Sequence, residues 1–299
     1  MHFIGNEKSV SLLQKSLRRG ALNHAYIFSG PERVGKFTLA KMFALGAIAS
    51  ADLDLDVEQA NKDALLDLIV VEPEVVEKNG ISKQRDIPIE LIRDSKQSLS
   101  LFPYHGKFKV LIINDAHRLT TASQNALLKI LEEPNPTTIL ILVTHEFDRI
   151  LPTIVSRCQV VNFGLVSDED MLDGFAENFS FSKDCVELAI GRPGLAQFLN
   201  GNVEEKNFRM DALRELERIK RGSLNDKFKL AEELSKDVVR TLDKLDIWMW
   251  ELRKNAGAAR TQERELAYEG IEKIQKSMAV LKRTNANGRL ILETLFMDL

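Results

Sequence analysis

The segment Ala25-Tyr-Ile-Phe-Ser-Gly30-Pro-Glu-Arg-Val-Gly35-Lys36 constrains the fold more than any other stretch of the 299 residues. A short apolar run reads as a buried strand and leads directly into the spacing GxxxxGK. Residues 37–48, rich in Ala, Leu and Met, then read as a helix. Strand, glycine loop and helix in that order make half of a βαβ unit. The glycines let backbone N–H groups turn inward toward an anion, and the helix N-terminus adds favourable potential. Lys36 stands where an ammonium meets the β and γ phosphates of a nucleotide.

The alternation continues. Residues 66–71, 110–113, 138–143 and 159–163 are further apolar runs, and residues 7–20, 89–101 and 121–132 predict helices, the last stopped by Pro134. Strands this apolar, alternating with helices, imply an α/β fold with a parallel sheet covered on both faces. The charged stretch 72–88, with Gly80, predicts a loop or β-ribbon. The acidic stretch 49–63, with Asp52, Asp54, Asp56 and Glu58, predicts a solvated connection. After Leu165 the strand signals stop. Residues 167–200 predict short helices interrupted at Gly191-Arg192-Pro193-Gly194, and from Val203 onward the pattern is long amphipathic helices. The expected division is an α/β domain at 1–165, a small helical domain at 166–202 and a larger helical domain at 203–299.

Composition excludes several classes. The formal net charge of −3 leaves no whole-chain basic excess, so any contact with nucleic acid would rest on a local patch. Cys158 and Cys185 form no CxxC pair, which argues against a disulfide framework or a zinc site, and both read as buried, inert thiols. The start MHFIGNEKSV has no signal-peptide character, and no run approaches the roughly 20 apolar residues of a membrane span. A cytoplasmic protein without a membrane partner is expected.

Two departures weaken the nucleotide site. The position after Lys36 calls for Ser or Thr, whose hydroxyl holds magnesium, but it is Phe37. Thr38 follows, turned by about 100° around the helix, so its hydroxyl is expected to point elsewhere. The strand at 110–113 is followed by Asn114-Asp115-Ala116-His117. Asn114 stands where an Asp would support the metal. Asp115, one methylene short, stands where a Glu would polarise water. His117 reads as an exposed surface histidine.

Longer motifs carry a resemblance. They are His24-Ala-Tyr-Ile-Phe28, Ile113-Asn-Asp-Ala-His-Arg-Leu119, Ala122-Ser-Gln-Asn-Ala-Leu-Leu-Lys-Ile-Leu-Glu-Glu-Pro134, Leu142-Val-Thr-His145 and Leu151-Pro-Thr-Ile-Val-Ser-Arg-Cys158. In this order, over roughly residues 3–165, they resemble the delta-prime subunits of bacterial DNA polymerase III clamp loaders and their gamma/tau relatives. The resemblance implies an AAA+ P-loop module, a small helical lid and an all-α collar that joins subunits into a heteropentamer. It implies gamma/tau and delta subunits, a sliding clamp and primer–template DNA as partners. By position it makes Gly30, Gly35, Lys36, Thr38, Asn114, Asp115 and Thr144 a degenerate nucleotide site, with Thr144 as sensor 1. Arg157 becomes an arginine finger for a neighbouring subunit's ATP; the competing reading is a local salt bridge. The second-sensor arginine of the family is replaced by Gly194, and Arg192 stands two positions early. The family's four-cysteine zinc module has no counterpart, so zinc is not expected and no metal ligands are assigned. ATP with magnesium remains open as a cofactor. The losses fall on the chain's own site while Arg157 is intact, which is the delta-prime pattern. The alternatives are an active gamma/tau-like ATPase and a AAA+ interaction module outside replication. In the tail, Trp248 and Trp250 read as core rather than interface, and Lys282, Arg283 and Arg289 are weak candidates for DNA phosphates.

Overall fold

The computed structural model describes residues 3–53, 64–78, 81–104, 106–176, 181–258, 260–283 and 287–299. The chain divides into two compact units, Met1–Phe179 with Gly191–Leu195, and Ser180–Ile190 with Ala196–Leu299. Segment 166–202 contributes to both. The acidic connection at 54–63, Gly80 and the side chain of Arg283 lie outside the described residues.

The first unit begins with α1 (Glu7–Arg19), β1 (Ala25–Ser29) and α2 (Lys36–Ala49). β2 (Leu68–Val71) follows, then β3 (Val75–Lys78) and β4 (Ile81–Gln84), which pair as the antiparallel ribbon expected near 72–88. Next come α3 (Ile89–Leu99), β5 (Lys109–Ile113), α4 (Thr121–Glu132), β6 (Thr138–Thr144), α5 (Pro152–Val155), β7 (Gln159–Asn162) and α6 (Asp168–Gly174). Five strands form one parallel sheet in the order β2-β5-β6-β1-β7. This is the parallel sheet of a P-loop α/β unit that the apolar runs imply.

Alternate strand residues serve opposite faces of the sheet. Tyr26, Phe28, Val110, Ile112, Ile139 and Ile141 pack with Leu13, Leu39 and Phe43 of α1 and α2. Ala25, Ile27, Leu111, Ile113, Leu140 and Leu142 pack on the other face with Ile92 of α3 and Leu127 of α4. Both faces are therefore apolar, which explains the unbroken apolar runs. Each fully buried Phe, Leu or Ile contributes about 1.5–3 kcal/mol.

Local chemistry fixes the element ends. Thr120 caps α4 by accepting from Ser123 N at 3.1 Å, and Pro134 follows two residues after its end. The strand expected from residue 66 starts only at Leu68. Ala64–Asp67 is a 3-10 turn, because the buried Asp67 carboxylate accepts from the backbone N–H groups of Tyr104 (2.7 Å) and Gly106 (3.0 Å).

The remaining helices are α7 (Lys183–Ala189), α8 (Pro193–Gly201), α9 (Val203–Arg221), α10 (Leu224–Leu234), α11 (Val238–Ala258), α12 (Thr261–Arg283) and α13 (Gly288–Asp298). The core of the second unit gathers Leu216, Leu230, Leu245, Ile274 and Phe296 around Trp248. Among the described residues no helix is long and apolar enough to cross a membrane. Arg289 is held by Glu232 at 2.9 Å and Glu293 at 2.7 Å, so its charge is already engaged.

Candidate nucleotide-phosphate site

β1 delivers the chain into the loop at Ser29, and α2 receives it at Lys36. Gly30 has φ +150°, and a Cβ there would lie 2.3 Å from the Phe163 carbonyl oxygen. Gly35 has φ +94°, and its Cβ would lie 2.8 Å from the Phe3 ring. Neither glycine accepts a side chain without movement of its neighbours. The first turn of α2 has no acidic residue, and Gly35 supplies no side-chain cap. A helix start without an acidic side chain or side-chain cap leaves its N–H groups available to an anion. The adjoining pocket, about 310 Å³, is walled by Lys36, Phe37 and Thr38 on one side and Asn114, Asp115 and His145 on the other.

Lys36 is buried, and its ammonium donates to the carbonyls of Gly30 (2.8 Å) and Pro31. Burial pushes its pKa down to about 8, against the nearby Glu32 and Asp115, which favour the charge. The charged amine therefore destabilises the fold fully below pH 8. The penalty fades between pH 8 and the ordinary lysine range near 10.5, where the folded chain has lost the proton that the unfolded chain keeps. Lys36→Met is expected to raise stability by about 1–2 kcal/mol at pH 7, less than the full desolvation penalty because two carbonyls lose their donor. The gain should shrink as pH rises past 8 in urea titrations of the two proteins.

The metal side of the pocket lacks its usual ligands. Phe37 packs against the core, and the Lys41 ammonium lies 4.0 Å from its ring centre. Thr38, expected to turn away, is exposed and contributes to the pocket wall. The Asn114 amide donates to Glu72 Oε1 at 3.0 Å. Position 37 thus offers the pocket no hydroxyl, and position 114 offers an amide already paired with Glu72.

Asp115 reaches the pocket with φ +48°. Burial opposes its ionisation, but the hydrogen bond from His145 and the positive charge nearby prevail, and its pKa is lowered. Thr144, the sensor 1 candidate, is fully buried; its hydroxyl accepts from Glu146 N at 3.1 Å and lies 3.5 Å from His117 Nδ1. The neighbours Val143 and His145 line the pocket instead. His117 is not at the surface as expected: it is 2% exposed. The 3-10 turn Ala116–Arg118 tucks its ring against His145, with centroids 4.1 Å apart. Burial first, and His145 second, hold its pKa down to about 4. The sequence alone assigns His145 no role beyond its place in the Leu142-Val-Thr-His145 motif. The available signal was two histidines, of five in the chain, just beyond the ends of what prove to be adjacent parallel strands.

Gly194 N donates to the Arg33 carbonyl at 2.9 Å, so the second-sensor turn rests on the phosphate loop itself. A Cβ at Gly194 would lie 2.9 Å from that oxygen. Arg192 is buried, at 5% exposure. Arg157 lies apart from this pocket's lining. It projects from the end of α5, 37% exposed, paired with Glu132 at 3.0 Å and donating to Thr153 O at 3.0 Å. Cys158 is half-buried and Cys185 buried, both free thiols, and burial pushes the Cys158 thiol up to about 12.

The family model described as DNA polymerase III, delta subunit, matches residues 5–167, more than half of the chain. The chain belongs to that family. The DNA polymerase III resemblance read from the motifs is borne out further by curated relatives. The gamma/tau subunit of Mycoplasma genitalium DNA polymerase III is 31% identical over 242 residues, covering 78% of this chain and 35% of the relative. The tau subunit of Bacillus subtilis is 35% identical over 173 residues, covering 56% of this chain and 29% of the relative. The chain thus spans about a third of the length of the curated relatives it matches. A solved DNA polymerase III gamma subunit-related protein from Thermotoga maritima overlays 97% of each chain, with TM-score 0.51 and 17% identity, a likeness of fold. The DNA polymerase III delta-subunit family model covers the whole phosphate loop and the Ser156-Arg157-Cys158 segment.

Proposed function

We propose that this chain is a delta-prime-like clamp-loader subunit that hydrolyses little or no ATP itself and supplies Arg157 to a neighbour's ATP site. Its partners in this reading are gamma/tau and delta subunits, a sliding clamp and primer–template DNA, in a cytoplasmic heteropentamer. Residues 166–202 act as lid and residues 203–299 as collar. The observation that carries the reading is the mismatch within one pocket. The phosphate cradle of Gly30, Gly35 and Lys36 is intact, while Phe37 offers no hydroxyl and Asn114 is turned onto Glu72. Bound ATP would supply charged phosphates to the cradle. Lys36 and the α2 N–H groups would orient them, while position 115 would offer an attacking water an aspartate, one methylene short of the family's glutamate. Gly194, pressed on Arg33, supports the same direction.

The gamma/tau names of the curated relatives favour an active ATPase as the second reading. Steady-state ATP turnover by the purified chain separates the two. The proposed function requires turnover at background, unchanged by magnesium. Magnesium-dependent turnover at ordinary AAA+ rates would transfer the assignment to the gamma/tau kind.

A further inference from the structure

We propose that Asp115, His117 and His145 form a binding site for a divalent transition metal of the zinc class, at the edge of the phosphate-loop pocket. The three side chains each offer one ligand atom, and these atoms all lie within 4.8 Å of one another. His145 Nδ1 stands 3.6 Å from Asp115 Oδ1. Four ligands at the usual zinc distances lie roughly 3.3–3.5 Å apart, so small side-chain rotations of Asp115 and His145 close the set. Both are partly exposed and have room to move.

The observation that points to a ligand is independent of this proximity. His117 Nε2 is fully buried and has no hydrogen-bond partner. Burying such a nitrogen unpaired costs about 1–3 kcal/mol. Its other nitrogen, Nδ1, lies 3.5 Å from the Thr144 hydroxyl, which can accept from it while also accepting from Glu146 N. With the proton on Nδ1, the Nε2 lone pair is free for a metal, the arrangement in which an outer-shell partner supports a metal-bound histidine. Glu146 Oε1 lies 3.8 Å from both His117 Nε2 and His145 Nε2, a negative charge beside the cluster that favours a cation there. Two imidazoles with carboxylates suit zinc, nickel or copper, whereas magnesium prefers six oxygens. The site is therefore chemically different from the magnesium position lost at Phe37 and Asn114. It is also unrelated to a four-cysteine module, since the chain has only two cysteines. The clamp-loader reading is not needed for this site.

The test uses the 299-residue chain, tag-free, stripped with chelator and titrated with Zn²⁺, with Co²⁺ as the optical probe. The expected result is one equivalent bound per chain at micromolar Kd or tighter, visible Co²⁺ bands of a four-coordinate site, and a zinc-dependent rise in Tm. His145→Ala should weaken binding at least 10-fold and remove the Tm rise, in line with the effect of losing a ligand or its support. His117→Ala should do the same; because its ring is buried, far-UV circular dichroism accompanies it, and His145→Ala decides if it unfolds. His24→Ala, outside the cluster, should bind as the unaltered chain does. Absence of stoichiometric zinc binding, or binding unaffected by His145→Ala, would overturn the proposal.

Discussion

Under the proposed arginine-finger role, replacing Arg157 by alanine is expected to leave the reconstituted complex assembled and to slow its ATP turnover by on the order of 10³-fold. The guanidinium has the exposure needed to reach another chain, at 37%. Its present partner, Glu132 at 3.0 Å, forms a surface ion pair of the kind that contributes only about 0–1 kcal/mol, so release toward phosphate oxygens is cheap. The bond to Thr153 O holds the side chain near the end of α5 without neutralising it. A planar charge that bridges two oxygens stabilises spread phosphoryl charge better than a point charge, so Arg157→Lys should recover little. The free chain itself should melt within about 0.5 kcal/mol of the unaltered protein, as for other surface substitutions. Reconstitution with gamma/tau and delta partners, followed by clamp-loading ATPase assays, gives the answer. Undiminished turnover in the mutant complex would leave Arg157 as a surface ion pair only.

Trp248→Ala should produce the largest loss of stability, about 3–5 kcal/mol. Trp248 is fully buried in the core of the second unit. Its indole Nε1 donates to Ala212 O at 2.7 Å, and its ring centre lies 5.8 Å from that of Phe296. Alanine would remove a large apolar body and the indole's hydrogen bond to the Ala212 carbonyl. Trp250, two residues along, is only half-buried, with the Arg253 guanidinium 5.2 Å from its ring centre. Trp250→Ala should therefore lose under about 1.5 kcal/mol. The chain has just these two tryptophans, so each variant keeps a single fluorescent reporter in the same helix. Urea unfolding followed by that fluorescence checks both values. Equal losses would mean that the packing contrast between the two rings carries no energy.

Much of the α/β unit was legible because its strands are buried on both faces. Five apolar runs became five parallel strands, and α4 runs from Thr121 to Glu132 as the cap at Thr120 and the stop at Pro134 require. Asp67 was not legible in this way. Its carboxylate shortens β2 by binding backbone groups nearly 40 residues away, a contact without local signature. The phosphate loop was legible from spacing alone, since GxxxxGK encodes its own backbone geometry. The histidine cluster was not. His117 and His145 are brought together by the pairing of β5 with β6, so neither residue's neighbours in sequence disclose its environment.

The contact between Gly194 and Arg33 bears on how such a chain can change over generations. A subunit that has lost a second-sensor arginine could regain it by one codon change if the position were open. Here the phosphate loop lies against that position, with the Gly194 N–H bonded to the Arg33 carbonyl and a Cβ only 2.9 Å from that oxygen. Any side chain introduced at position 194 must displace the phosphate loop beside it, so a single substitution there carries its cost before it can carry a gain.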